Sequence, residues 1–178
     1  KGIFTILSSC ASRQLEEVTF RRATISVPEL MATAGKYFRK VYKGNKAHID
    51  FKIQPLEGRI TGDWNQLRFL LENLIDEACS VTLDGAVCLS AREDGEFIRF
   101  LFTDMRREKT REELNQLFYP DLSRMTAGEK GELYGTEYLV CKQIIRDHDE
   151  FAGRRGCRIN AEPGKEGGFT IYFTLPKK

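Results

Sequence analysis

The feature that most constrains this chain is an apolar stripe that follows a helix-capping residue. Behind Asp63, residues Leu67, Leu70, Leu71, Leu74, Ile75 and Ala78 recur at steps of three and four. That spacing predicts about three helical turns with one buried face, and Asp63 suits the N-cap. A stripe this wide needs a partner layer, and the rest of the chain offers one. Ile49, Phe51 and Ile53 alternate as a half-buried strand does. Val87, Leu89 and Ala91 alternate too, and after the Asp94-Gly95 turn the chain returns through Phe97 to Phe102, which signals a β-hairpin. Cys157, Ile159 and Ala161 predict another strand, and Phe169, Ile171, Phe173 and Leu175 a last one. Arg21 to Val27 is short and β-prone, and a further β-like piece surrounds Ile60 between Gly58 and Gly62.

Two more helices complete the pattern. Pro28 suits a first helical turn, Leu30, Met31, Ala34, Phe38 and Val41 follow near helical spacing, and Gly44 ends the run. Tyr138 to Asp147 is helical as well. The fold class expected is α+β, a two-layer α/β sandwich of a mixed five-stranded sheet with about three helices on one face. Met105 to Tyr134 breaks the pattern. It is charged, contains Gly128 and Gly131, and has one short helical stretch from Glu112 to Phe118, so it predicts a long lid loop. Phe4 to Glu17, with Ile6, Leu7, Cys10 and Leu15, resembles the end of a helix begun further upstream, and the chain, starting at Lys1, reads as a fragment.

Charge and cysteine usage exclude several classes. Lys plus Arg is 28 and Asp plus Glu is 26, a net charge of +2, which gives no electrostatic case for nucleic-acid binding. No apolar run reaches the roughly 18 residues of a membrane helix. The five cysteines, Cys10, Cys79, Cys88, Cys141 and Cys157, show no C-x-x-C spacing. They read as reduced, buried thiols of a cytoplasmic protein. His48 and His148 lack cysteines at ligand spacing, so a Cys/His metal site is not expected.

Four stretches, in order, resemble the ATP-binding catalytic domain of sensor histidine kinases, in the GHKL superfamily. Gly62-Asp63 with Leu67 and Leu71 to Ala78 resembles the asparagine-box helix. Phe102-Thr103-Asp104 resembles the first glycine box, with Glu112 to Pro120 behind it. Gly135 to Lys142 and on to His148 resembles the second glycine box and its helix, and Gly168-Phe169 to Pro176 the closing strand. The resemblance covers about Val27 to Pro176. It implies a domain over 27–178 preceded, over 1–26, by the tail of a dimerisation helix and a linker. The phosphoacceptor histidine would then lie upstream of this fragment.

The resemblance also implies site residues. Asp104 matches the aspartate that accepts from the adenine amino group, Asn73 matches a retained asparagine, and Gly135 matches the first phosphate-loop glycine. Glu77 stands where the family has its metal-binding asparagine. A carboxylate there can ligate Mg²⁺, but it also adds negative charge facing a triphosphate. Other positions depart. Ser80 replaces a basic residue, Arg106 and Glu108 replace glycines, Glu137 replaces the second phosphate-loop glycine, and Phe169 replaces a threonine. Glu137 would stand where phosphate should, at a helix N-terminus that favours anions.

Each residue also has a plainer reading. Asp104 can cap a turn, Asn73 can lie on a helix surface, and Glu77 can be a solvated glutamate. Lys142 and His148 read as helix-surface residues, Trp64 as a packing residue. Arg106, Arg107, Lys109 and Arg111, interleaved with Glu108, Glu112 and Glu113, read as a solvated, salt-bridged face. Arg154, Arg155 and Arg158 read as exposed. The apolar positions keep the pattern better than the ligand-facing ones do. The function expected is therefore a degenerate histidine kinase-like ATPase domain of a bacterial signal-transduction protein. It would be non-catalytic, need no cofactor, and act by docking to its own dimerisation helices or to a signalling partner, in a full-length homodimer. The alternative is an active ATP- and Mg²⁺-dependent domain phosphorylating a histidine outside the fragment. A third reading is a remodelled pocket for another small molecule.

Overall fold

The computed structural model describes residues 20–119 and 136–178. The expected helix tail over Phe4 to Glu17, the second half of the lid and Gly135 lie outside the described residues. The order is β1 (Ala23–Ser26), α1 (Val27–Tyr42), β2 (Ile49–Gln54), β3 (Arg59–Gly62), α2 (Trp64–Cys79), β4 (Gly85–Asp94), β5 (Phe97–Asp104), α3 (Arg111–Gln116), α4 (Thr136–Phe151), β6 (Ile159–Pro163) and β7 (Phe169–Pro176).

Local chemistry sets the helix starts. The Ser26 hydroxyl accepts from the Glu29 N–H and Pro28 occupies the first turn, so α1 begins where its missing amide costs nothing. The Asp63 carboxylate accepts from the Gln66 N–H to cap α2. Thr110 and Glu113 form a reciprocal capping box at α3. The apolar stripe of α2 is buried as its spacing requires, with Leu67, Leu70, Leu71, Leu74, Ile75 and Ala78 nearly inaccessible. Each such leucine or isoleucine contributes about 1.5–3 kcal/mol relative to an exposed one.

The main sheet has the order β2-β4-β5-β7-β6. β2 runs parallel to β4, and every other pairing in it is antiparallel, so the sheet is mixed. A separate two-stranded sheet joins β1 to β3, with Ala23 opposite Gly62. Along β5 every second residue is buried: Ile98, Phe100, Phe102 and Asp104. Phe100 lies opposite Phe173 of β7, their rings stacked at 5.0 Å and 7°. The apolar faces of α1, α2 and α4 join this sheet face in one core. The two-layer α+β sandwich is thus the observed fold. The alternation along β5 decides the rest, because it ends by sending a carboxylate, Asp104, to the helix-covered face.

Candidate functional site

The last buried position of β5 places Asp104 under the C-terminal end of α2. Only 1% of its side chain is exposed. A buried carboxylate needs donors, and two arginines just beyond it in sequence supply them. Arg106 donates to Oδ1 through its backbone N–H (3.0 Å) and Nε (2.9 Å), and to Oδ2 through Nη2 (2.9 Å). Arg107 Nε donates to Oδ2 at 3.0 Å. Burial alone would raise the Asp104 pKa, but the Arg106 hydrogen bonds and both guanidinium charges hold it below the ordinary carboxylate value.

Arg106 is itself fully buried, at 0% exposure. Its remaining donors reach the carbonyls of Ala78 (2.7 Å), in the last turn of α2, and of Val81 (3.1 Å) and Leu83 (2.9 Å), in the loop that follows. A cation there also complements the negative end of the helix. Gly85 makes room for the side chain. It has φ +139°, and a Cβ on it would lie 2.7 Å from Arg106 Cγ.

Arg107 continues the network to Glu77, in the last turn of α2. Nη1 and Nη2 meet Oε1 and Oε2 at 2.8 Å each, a fork-to-fork pair. Its guanidinium stands 5.2 Å from the Phe169 ring centroid, and Lys109 Nζ 5.1 Å from the same ring. Burial opposes the Arg107 charge, yet the Glu77 and Asp104 carboxylates raise its pKa above the ordinary arginine value. Glu108 Oε1 accepts from the Gly168 N–H at 2.8 Å. The Tyr138 hydroxyl of α4 is buried beside Glu77 without a hydrogen bond among the described residues. Burial first, then the Glu77 charge, raises its pKa far above the usual tyrosine value.

The structure brings two of the sequence-based site residues together, Asp104 and Glu77, through Arg107. It leaves Asn73 apart: half-buried on α2, its Nδ2 donates to the Phe69 carbonyl one turn back. Gly135 lies outside the described residues, and so does the side chain of Glu137. The reading of Arg106 and Arg107 as a solvated face is corrected: the Arg106 side chain is buried and the Arg107 side chain partly so, because Asp104 sits at an inward-facing strand position. The reading of His148 as a surface residue is corrected too, since it is wholly buried. Phe169 is a core residue, 2% exposed. The signal for the missed pair was available, because two consecutive arginines stand two and three residues after an aspartate that ends an alternating strand.

As arranged, these residues do not fit a magnesium–nucleotide complex. Both oxygens of Asp104 and of Glu77 are taken by arginines. Among the described residues, no three His, Cys, Asp or Glu side chains come together to hold a metal ion. Among the same residues, no helix is long and apolar enough to cross a membrane.

Comparison with known proteins places the chain. Residues 62–178 match the family described as histidine kinase-, DNA gyrase B-, and HSP90-like ATPase. The adaptive-response sensory kinase SasA of Thermosynechococcus vestitus is 30% identical over 138 residues, 76% of this chain and 34% of that kinase. The chain therefore spans about a third of that relative's length. The catalytic domain of the histidine kinase ThkA superposes with a TM-score of 0.67 at 19% identity, covering 90% of this chain and 97% of that domain. ThkA in complex with its response regulator TrrA gives 0.71 at 19% identity, over 98% of this chain and 47% of ThkA. With more than half its length matched and the fold shared, this chain belongs to the histidine kinase-, gyrase B- and HSP90-like ATPase family.

Proposed function

We propose that this is the ATPase-type domain of a bacterial two-component signalling kinase whose nucleotide pocket is closed by its own arginines, so that it acts in the cytoplasm by docking rather than by catalysis. One observation carries the reading. Arg107 bridges Asp104, at the position that the family resemblance gives to adenine recognition, and Glu77, at the position it gives to the metal ligand. A guanidinium held over Phe169 and bonded to Asp104 occupies the same partners a base would use. Nucleotide would have to displace one buried and one partly buried cation, and removing one partner of a buried pair costs about 3–5 kcal/mol. The docking partner is the protein's own dimerisation helices or a signalling protein. The complex of ThkA with a response regulator supports that class of partner.

The alternative, an active kinase domain using ATP and Mg²⁺, draws on the ionised Asp104 at the end of β5. It requires Arg106 and Arg107 to leave that carboxylate. Calorimetric titration with ATP and ADP, with and without Mg²⁺, separates the two. The closed-pocket reading expects no saturable heat and no thermal shift at millimolar nucleotide. Saturation at 100 times Kd, with the stabilisation of about 2.7 kcal/mol it brings, would overturn it.

A further inference from the structure

At the other end of α2, three residues ahead of β1 lie across the domain. The Arg21 N–H donates to Asp63 Oδ2 at 2.9 Å. The Phe20 ring stands edge-on to His148, at 4.6 Å and 77°, and reaches Phe151 at 5.8 Å. Arg22 extends over the turn after α4, where a Cβ on Gly153 would lie 3.0 Å from its Nη1.

Beneath this segment, His148 joins two helices. Its ring nitrogens are assigned by their partners. The Asp63 N–H can only donate, so Nε2 accepts, at 3.0 Å. The Ile144 carbonyl can only accept, so Nδ1 carries the proton, at 2.8 Å. A neutral imidazole of fixed tautomer therefore ties the cap of α2 to the end of α4. Gly62 leaves it space, since a Cβ there would stand 3.0 Å from Nε2 and 2.9 Å from Leu67 Cδ1.

The overlying segment is held more lightly than the histidine. Phe20 is half-buried, and Phe151 is 49% exposed. The oxygen that accepts from Arg21 also has a second donor in reach, Gln66 Nε2 at 3.4 Å. Lifting the segment would leave Asp63 Oδ2 with that replacement, while the His148 bonds below need not change.

We propose that Phe20–Arg22 is a releasable strap, docked through Phe20 on His148 and Arg21 on Asp63, which passes the position of the preceding chain to the start of α2 and the end of α4. Hydrogen exchange on the whole 178-residue chain tests it. Phe20→Ala should speed exchange at Arg21 and at Ala152–Cys157 by about tenfold or more, with β5 and β7 unchanged, as a local opening does. Unchanged exchange at Arg21, or equal acceleration in β5 and β7, would overturn the strap. The second donor is tested by Gln66→Ala, which should destabilise the Phe20→Ala chain more than the parent. Strict additivity would show that Gln66 takes no part in release.

Discussion

The two ends of α2 solve one problem in opposite ways. Each exposes backbone groups that the helix cannot satisfy itself. At the N-terminal end the partners are an uncharged imidazole and a capping carboxylate, all tied to backbone amides. At the C-terminal end the partners are charged: Arg106 donates to three carbonyls and pairs with Asp104, which Arg107 links in turn to Glu77. The N-terminal end can yield one contact and keep the rest. The charged end is interlocked, because each group removed leaves an opposite charge buried. In this family fold, the interlocked end is where a nucleotide site is expected and the yielding end is where the chain enters the domain.

The largest break in this comparison comes from Arg106→Ala. It removes the guanidinium from Asp104 and from the Ala78, Val81 and Leu83 carbonyls, leaving the buried carboxylate only a backbone N–H and Arg107, and we expect a loss of about 3–5 kcal/mol by urea unfolding. A loss below about 1 kcal/mol would show that water serves those groups equally well. Acid is a gentler probe. The folded pKa of Asp104 is depressed, so its stabilisation is fully present above the unfolded carboxylate value of about 4 and fades as pH falls through the lower folded value. Asp104→Asn should therefore narrow its stability deficit to the parent on acidification below about pH 4. A deficit that stays constant down to pH 2 would remove the ionic account. The smallest effect belongs to Asn73→Ala, within about 0.5 kcal/mol, since that half-buried side chain bonds to its own helix one turn back. A larger loss would mean that Asn73 has a structural role this contact does not reveal.

Most of the fold was legible because burial imposes period on sequence. The alternation of β5 and β7 and the stripe of α2 gave the layers, and Asp63 and Pro28 gave two helix starts. The site was legible in part. Asp104 stood out as the end of a strand, but the direction of its side chain follows from strand parity, and carrying Ile98, Phe100 and Phe102 one step further puts it inside. Arg106 and Arg107 were misread because alternating charges look solvated when their partners are distant. Glu77 lies 30 residues away from Arg107 in sequence, and no local pattern links them. His148 was misread for a similar reason. It sits one turn beyond Ile144 on the buried side of α4, and its hydrogen-bond partner Asp63 is 85 residues away.

The strand order has a consequence for how the chain is assembled. β7 is the last strand made, yet it lies between β5 and β6. Until residues 169–176 leave the ribosome, β5 has a bare edge and Phe100 lacks the ring it stacks on. Such an edge is a template for pairing with the wrong chain. The sheet is therefore closed from its middle at the end of synthesis, and the aromatic hairpin of β4 and β5 is the segment that must be kept from associating until then.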